Sequence, residues 1–375
     1  MGWNVVYLYV NVNVLCRGAL LLSDASWGND FRVRRHRPKE GYHVRMTQPL
    51  PSVSIAMSVY NDGPYLAQAV QSVLAQTHAD FEFLIVDDGS TDGSGALIDD
   101  FAARDPRILP IHQENRGLVA SLNRMLRESR APLVARMDGD DDCHPERLAR
   151  QVAFMASHPD HGAVGTQSLS FDDAGRRWPS PTWYPTDHAQ VAADERNSPL
   201  ICHPSVMMRR DLVLEVGGYR QQFRHCEDHD LWLRLVERAR LASLPERLTY
   251  YRRSPGQISN RHAATQAIGA AMAWQAHLER VAGRADPFDG LEVLPPVADL
   301  DRLFGREGVA RDVRDMVLPQ LIYTREGLTD EVFGMALCQV RERGGSAQAW
   351  RLLGRLLKFG QPARAMQLAR QLVLR

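Results

Sequence analysis

Short apolar runs, each stopped by a cluster of polar residues, set the pattern of the first part of the chain. Val53–Val59 is mostly apolar and rich in small and β-branched residues, which predicts a strand buried on both faces. It stops at Tyr60-Asn61-Asp62-Gly63-Pro64, where Asn61 or Asp62 can cap a helix and Pro64 suits its first turn. Leu66, Ala69, Val70, Val73 and Leu74 then follow at helical spacing. Residues 81–86 repeat the strand pattern and end in Asp87-Asp88-Gly89-Ser90-Thr91-Asp92, ahead of a helix carrying Leu97, Ile98 and Phe101. Residues 108–111 predict a third strand. Asn115-Arg116-Gly117 then turns into a helix with Leu118, Leu122, Met125 and Leu126 on one face, and residues 133–137 predict a fourth strand. Strands alternating with helices predict an open, doubly wound, mostly parallel α/β sheet with helices on both sides. In such sheets ligands bind at the strand carboxyl ends, so Tyr60, Asp87, Asp88, Arg116 and the Asp138–Asp140 turn should gather there.

The later pattern is less regular. Residues 145–155 predict a helix, 162–169 a strand, 178–197 a loop-rich polar stretch with three prolines, and 206–208 a short strand. Gly217-Gly218-Tyr219 precedes Cys226-Glu227-Asp228-His229-Asp230, which opens a helix at Leu231-Trp232-Leu233. Acidic residues at a helix start are favoured by the helix dipole, which is the plain structural account of Glu227 and Asp228. Beyond Ser259 the spacing is helical, and the last two helices turn at Gly360-Gln361-Pro362 much like a single tetratricopeptide unit, too few for a repeat array. Three segments are therefore expected: residues 1–45, a disordered arm or a mis-called start before Met46; residues 46–260, the α/β domain; and residues 261–375, a helical accessory domain.

Composition narrows the function classes. Forty-five Lys and Arg balance 45 Asp and Glu, so overall charge does not point to a nucleic-acid partner. Five dispersed cysteines without a CxxC pair suit a reducing, cytoplasmic setting. The most apolar stretch, residues 5–22, is broken by Asn11, Asn13 and Arg17, so no spanning helix is expected.

The chemistry concentrates in Asp138-Gly139-Asp140-Asp141-Asp142, where an apolar run meets four carboxylates. Carboxylates this close repel unless a cation or solvent offsets them. In an extended turn Asp138 and Asp140 point the same way and can converge on one hard divalent ion, Mn2+ or Mg2+, with Asp141 and Asp142 as supporting or capping residues. An EF-hand loop is excluded by Cys143 and Ala149 at its sixth and twelfth positions, and no GxGxxG follows the first strand. His203, His225 and His229 lack the partner ligands of a zinc site and read as cleft or core residues.

Ser54-Ile55-Ala56-Met57-Ser58-Val59-Tyr60-Asn61, Val86-Asp87-Asp88-Gly89-Ser90, Asn115-Arg116-Gly117-Leu118, Arg136-Met137-Asp138-Gly139-Asp140 and Gly217-Gly218-Tyr219 with Glu227-Asp228 together resemble glycosyltransferase family 2 with its GT-A fold, over residues 51–259. The resemblance implies inverting transfer of a sugar from a nucleotide-diphosphate sugar, a UDP-sugar foremost, to an acceptor hydroxyl. It implies donor contacts from Ser58, Tyr60, Asn61, Asp87, Asp88, Arg116, Arg136 and Asp138. It places metal on Asp138 and Asp140, the catalytic base on Asp228 with Glu227 second, and an acceptor side near His203, Gly218, Tyr219 and Trp232. Many relatives carry a histidine after a late Tyr-Arg, whereas this chain has Tyr251-Arg252-Arg253. Processive synthases add membrane helices and a QxxRW motif that this sequence lacks, so single-sugar transfer is implied. The acceptor would be a glycan, a lipid-linked oligosaccharide or a protein, in surface polysaccharide or glycoconjugate assembly, with peripheral association at the inner membrane face allowed. Two other classes stay open: a non-catalytic nucleotide-sugar-binding module and a metal-dependent phosphotransferase.

Overall fold

The computed structural model describes residues 50–194, 196, 199–253, 262–324 and 326–373, so the expectation for residues 1–45 lies outside the described part. The first half follows the apolar pattern closely: β1 (Val53–Val59), α1 (Gly63–Leu74), β2 (Phe81–Asp87), α2 (Ser94–Arg104), β3 (Ile108–His112), α3 (Leu118–Glu128) and β4 (Leu133–Asp138). β5 (Asp142–Cys143), α4 (Arg147–Ser157), β6 (His161–Phe171), β7 (Arg177–Pro179), α5 (His188–Asp194), β8 (Met207–Arg209), α6 (Arg210–Glu215), α7 (Glu227–Leu235) and β9 (Arg240–Arg252) follow. The rest is helical: α8 (Ala263–Val281), α9 (Leu300–Phe304), α10 (Val309–Leu321), α11 (Asp330–Arg343), α12 (Ala347–Lys358) and α13 (Pro362–Val373).

The strands form one sheet in the order β3-β2-β1-β4-β8-β6-β9-β5, with β7 added to β6. β3, β2, β1 and β4 are parallel neighbours, while β8 runs antiparallel to both β4 and β6. The chain winds outward from β1 to β3 and then crosses back to β4, so the order reverses between β1 and β4. That reversal opens a crevice at their carboxyl ends, where Ser58 pairs with Asp138.

Alternation along β1 divides the core between the two faces of the sheet. Val53, Ile55, Met57 and Val59 point into a cluster with Leu66 and Val70 of α1 and Ile98 of α2. Ala56 points to the other face, which is covered by α3, α7 and α8 and continues through Leu318, Phe333 and Leu356 to Leu368. Small Ser54 and Ala56 on that face let α3 approach β1.

Several elements depart from the sequence pattern. β9, 13 residues long, is unforeseen because Pro245-Glu246 interrupts its apolar run; parallel pairing with β6 holds it despite register shifts. Residues 178–197, expected to be loop, contain the short helix α5 and part of the edge strand β7. The helix expected from Pro145 begins at Arg147. No helix among the described residues is long and apolar enough to cross a membrane.

Candidate active site

Each loop at the crevice is held by its own carboxylates and glycines. Asp87 Oδ1 accepts from the Ser90 backbone N–H at 2.9 Å. Asp88 is buried and fully engaged, accepting from the N–H groups of Arg116 and Gly117, each at 2.8 Å, and from Gln113 Nε2 at 2.7 Å. Its carboxylate thus fixes the Asn115-Arg116-Gly117 turn, whose Gly117 takes a positive φ of 85° that a side chain would resist. The Arg116 side chain is exposed and makes no hydrogen bond among the described residues. Tyr60 is about half exposed at the end of β1, and Asn61 Oδ1 accepts from Thr91 N at 2.8 Å, tying the first loop to the second.

The acidic turn after β4 is the electrostatic centre. Carboxylate oxygens of Asp138, Asp140 and Asp141 lie within 4.8 Å of one another. Burial, then Asp138, pushes the Asp140 carboxyl up to about 6, and burial followed by Asp140 raises Asp141 well above the ordinary range. Asp62 faces the same turn, and burial followed by Asp140 lifts it to about 7. Asp141 Oδ2 is buried without a hydrogen-bond partner. An orphaned oxygen and mutually raised carboxyls fit a hard divalent cation, which would favour their charged forms and take up the unused lone pair. Asp141 therefore belongs to the cluster itself. Its tight link to β9, through Oδ1 accepting from Arg252 N at 2.8 Å, is a tertiary contact with no local sequence signal. The Arg252 guanidinium donates to Asp140 O at 2.8 Å and to Gln68 Oε1 at 2.9 Å, holding the turn from below.

Arg136 joins this cluster to the second acidic pair. It is buried and donates from Nη1 to Asp138 Oδ2 at 2.8 Å. Burial opposes its charge, but Asp138, Tyr219, Asp141 and Glu227 surround it and keep its pKa above the ordinary value. Beyond it, Glu227 and Asp228 open α7. Glu227 is buried, with Oε2 unpartnered, and desolvation followed by the Asp228 charge raises it to about 7. Asp228 is half-buried and also raised, by desolvation first; its Oδ1 accepts from His229 N at 2.8 Å. The start of α7 is held by a buried ion network in which Asp230 binds both Arg220 and Arg234. Arg234 also donates to Gly218 O at 2.7 Å and so fixes the Gly217-Gly218-Tyr219 turn against α7.

Asp228 looks into a cavity of about 1120 Å³. His203, Tyr184, Tyr251 and Arg253 line it on the sheet side, and Gln266 of α8 and Gln320 of α10 on the other. The expected acceptor-side residues divide. His203 lines the cavity, whereas Gly218, Tyr219 and Trp232 are buried behind it, because α3 and α8 cover that face of the sheet. Tyr219 and Trp232 support His203 instead, through a 3.0 Å hydrogen bond between the Tyr219 hydroxyl and His203 Nε2 and an edge-on ring contact at 5.9 Å. His203, His225 and His229 do not converge with other ligands, and among the described residues the acidic triad is the one metal-capable group.

A doubly wound sheet with an acidic turn at its switch point, a second carboxylate pair across the crevice and a large polar cavity beside that pair is the architecture of a GT-A glycosyltransferase. Residues 54–217 match the family described as glycosyl transferase family 2. The chain is 37% identical over 191 residues to the putative glycosyltransferase EpsE of Bacillus subtilis strain 168, covering 50% of this chain and 67% of EpsE. It is 31% identical to the amylovoran biosynthesis glycosyltransferase AmsE of Erwinia amylovora, covering 56% of this chain and 79% of AmsE. Among solved structures, S. aureus TarS 1-349 superposes with a TM-score of 0.51 at 16% identity, over 85% of this chain and 89% of that one, a likeness of fold. The chain belongs to glycosyltransferase family 2, and it is a glycosyltransferase.

Proposed function

We propose that the protein transfers one sugar, with inversion, from a nucleotide-diphosphate sugar to an acceptor hydroxyl seated in the cavity beside Asp228. The observation that carries this reading is the pairing of two acidic groups across Arg136: the turn at Asp138–Asp141 and the Glu227-Asp228 pair. In the reaction the bond from the anomeric carbon to the phosphate oxygen breaks, and its electron pair stays on the departing diphosphate. The acceptor oxygen bonds to the opposite face of that carbon and gives its proton to Asp228. Desolvation raises the Asp228 pKa, so its carboxylate binds a proton more readily than a solvated one. Arg136 keeps a positive charge between the two acidic groups. Asp138, Asp140 and Asp141 would hold Mn2+ or Mg2+, which when bound offsets the charge of the leaving diphosphate. Tyr60, Asn61, Ser58, Asp87 and Arg116 frame the nucleoside end, with Asp88 building the loop.

The cavity is near the upper end of small-molecule sites and suits a glycan acceptor. A UDP-sugar is the first donor to test, since S. aureus TarS 1-349 is known in complex with UDP-GlcNAc. A role in surface polysaccharide assembly follows the naming of AmsE for amylovoran biosynthesis.

The experiment is a panel of nucleotide sugars with Mn2+ or Mg2+, scored for nucleotide release and donor binding. Asp140→Ala should abolish metal-dependent donor binding. Asp228→Asn should retain binding within a few-fold and lose at least about 100-fold in turnover. Equal loss of donor binding in both would overturn the division of roles. Donor binding without turnover by the unaltered protein would leave a binding module in place of the enzyme.

A further inference from the structure

The C-terminal hairpin has a surface that the transfer reaction does not use. Residues 344–375 carry six basic side chains and no acidic one, in a chain whose charges balance overall. α12 and α13 each bury one stripe in the core, Ala349, Leu352 and Leu356 on α12 and Ala365 and Leu368 on α13. The opposite stripe of α12 consists of Trp350, Arg351, Gly354, Leu357 and Lys358, at helical spacing and all exposed. On α13 it consists of Ala363, Met366, Gln367, Arg370 and Val373, again all exposed. Trp350 is 53% exposed, Leu357 60%, Met366 57% and Val373 75%, so both helices present large apolar side chains beside cations on the face turned away from the core.

A solvated helix face ordinarily mixes both signs of charge and keeps its apolar residues on the buried stripe. Arg355 and Arg364 fit an ordinary structural role: Arg355 caps Tyr323 O and stacks on its ring, and Arg364 binds Leu328 O and Asp330. Arg351, Lys358 and Arg370 have no carboxylate partner among the described residues. An indole, a leucine, a methionine and a valine flanked by uncompensated cations match an interfacial helix, whose apolar side chains enter the acyl boundary while its cations meet lipid phosphates.

We propose that the outer face of α12 and α13 docks the protein on an anionic lipid bilayer. The absence of any acidic residue from the hairpin favours this partner, because a protein surface would require complementary carboxylates and a second copy would bring the same positive charge. Docking places a transferase whose cavity borders α10 beside a membrane surface, where lipid-linked acceptors would be held.

The test uses the full chain in co-sedimentation with phosphatidylcholine vesicles and with vesicles of mixed phosphatidylcholine and phosphatidylglycerol. Binding is expected to the mixed vesicles, to be weak with phosphatidylcholine alone, and to fall as salt is raised. The triple variant Arg351→Gln, Lys358→Gln, Arg370→Gln should lose about fivefold per cation removed. Trp350→Ser with Leu357→Ser should lose binding that salt does not affect. All five positions are exposed, so donor hydrolysis and the circular dichroism spectrum should be unchanged, which separates lost docking from lost folding or activity. The proposal is overturned if the unaltered chain ignores the mixed vesicles, or if both variants bind as it does, which would put the lipid contact elsewhere in the chain. It is also overturned if light scattering shows a dimer that Trp350→Ser breaks while vesicle binding is absent.

Discussion

Glu227 shows how a single buried carboxyl links stability to pH. Its folded pKa is about 7 against an ordinary 4.5, raised first by desolvation and then by Asp228. Between those two values the unfolded chain has released the proton and the folded chain has kept it. The folded state thus binds more protons, and stability falls as pH rises through this window. The stabilisation is fully present below the unfolded value and is lost by about pH 7. Glu227→Gln removes the titration, so the variant should gain on the unaltered protein by up to about 3 kcal/mol between pH 5 and pH 8. Urea melts at both pH values, without divalent ions, would show this; a gap that does not change with pH would contradict it. Other residues of the site were readable from sequence to different depths. Asp138, Asp140 and Asp228 stand out because they end apolar runs or open a helix at recognisable spacing. Asp62 and Asp141 do not, because what distinguishes them is crowding by residues of other loops and by Arg252, distant in the chain.

Among the elements, the joint between α7 and α8 is the one that brings the helical region to the Glu227-Asp228 pair. α8 crosses the start of α7 where Gly269 meets Cys226, and a methyl group on Gly269 would overlap the Cys226 sulfur. Glycine is required there by proximity and not by backbone angle. Gly269→Ala should therefore cost about 1–3 kcal/mol by overpacking. Cys226→Ala removes the sulfur and leaves the two methyl carbons near 3.6 Å, an ordinary contact, so the double variant should be more stable than Gly269→Ala alone. Chemical denaturation of the three variants closes the cycle, and simple additivity would show that the contact is not the cause. No sequence pattern announces this joint. The strands β1 to β4 were legible because each is a complete apolar run with polar punctuation, a local signal. β9 was not, since its pairing with β6 overrides the Pro245-Glu246 interruption. α8 and α10 were legible as helices, but that they wall the cavity beside Asp228 depends on packing between distant segments.

For residues 50–373 as a whole, the packing argues for one cooperative unit. The larger hydrophobic cluster runs without a break from Ala56 of β1, through Leu231 and Trp232 of α7 and Met272 of α8, to Leu356 and Leu368 of the hairpin. Fully burying one such large side chain contributes about 1.5–3 kcal/mol, and α7 packs directly against α8. If the helices were an independent body, their interface with the sheet would be small and polar, and the chain would melt in two steps. Because the interface is core, far-ultraviolet circular dichroism, reporting the helices, and tryptophan emission, to which the buried Trp232 beneath the site contributes, should follow one transition with a common midpoint in urea. Removing the chain from residue 254 onward should leave a protein that is insoluble or lacks that transition, since the side of α7 that packs against α8 would be open to water. Separate midpoints for the two probes, or a truncated chain that still melts cooperatively and binds donor, would show that the helices are an appendage and that the cavity wall they supply is dispensable to the fold.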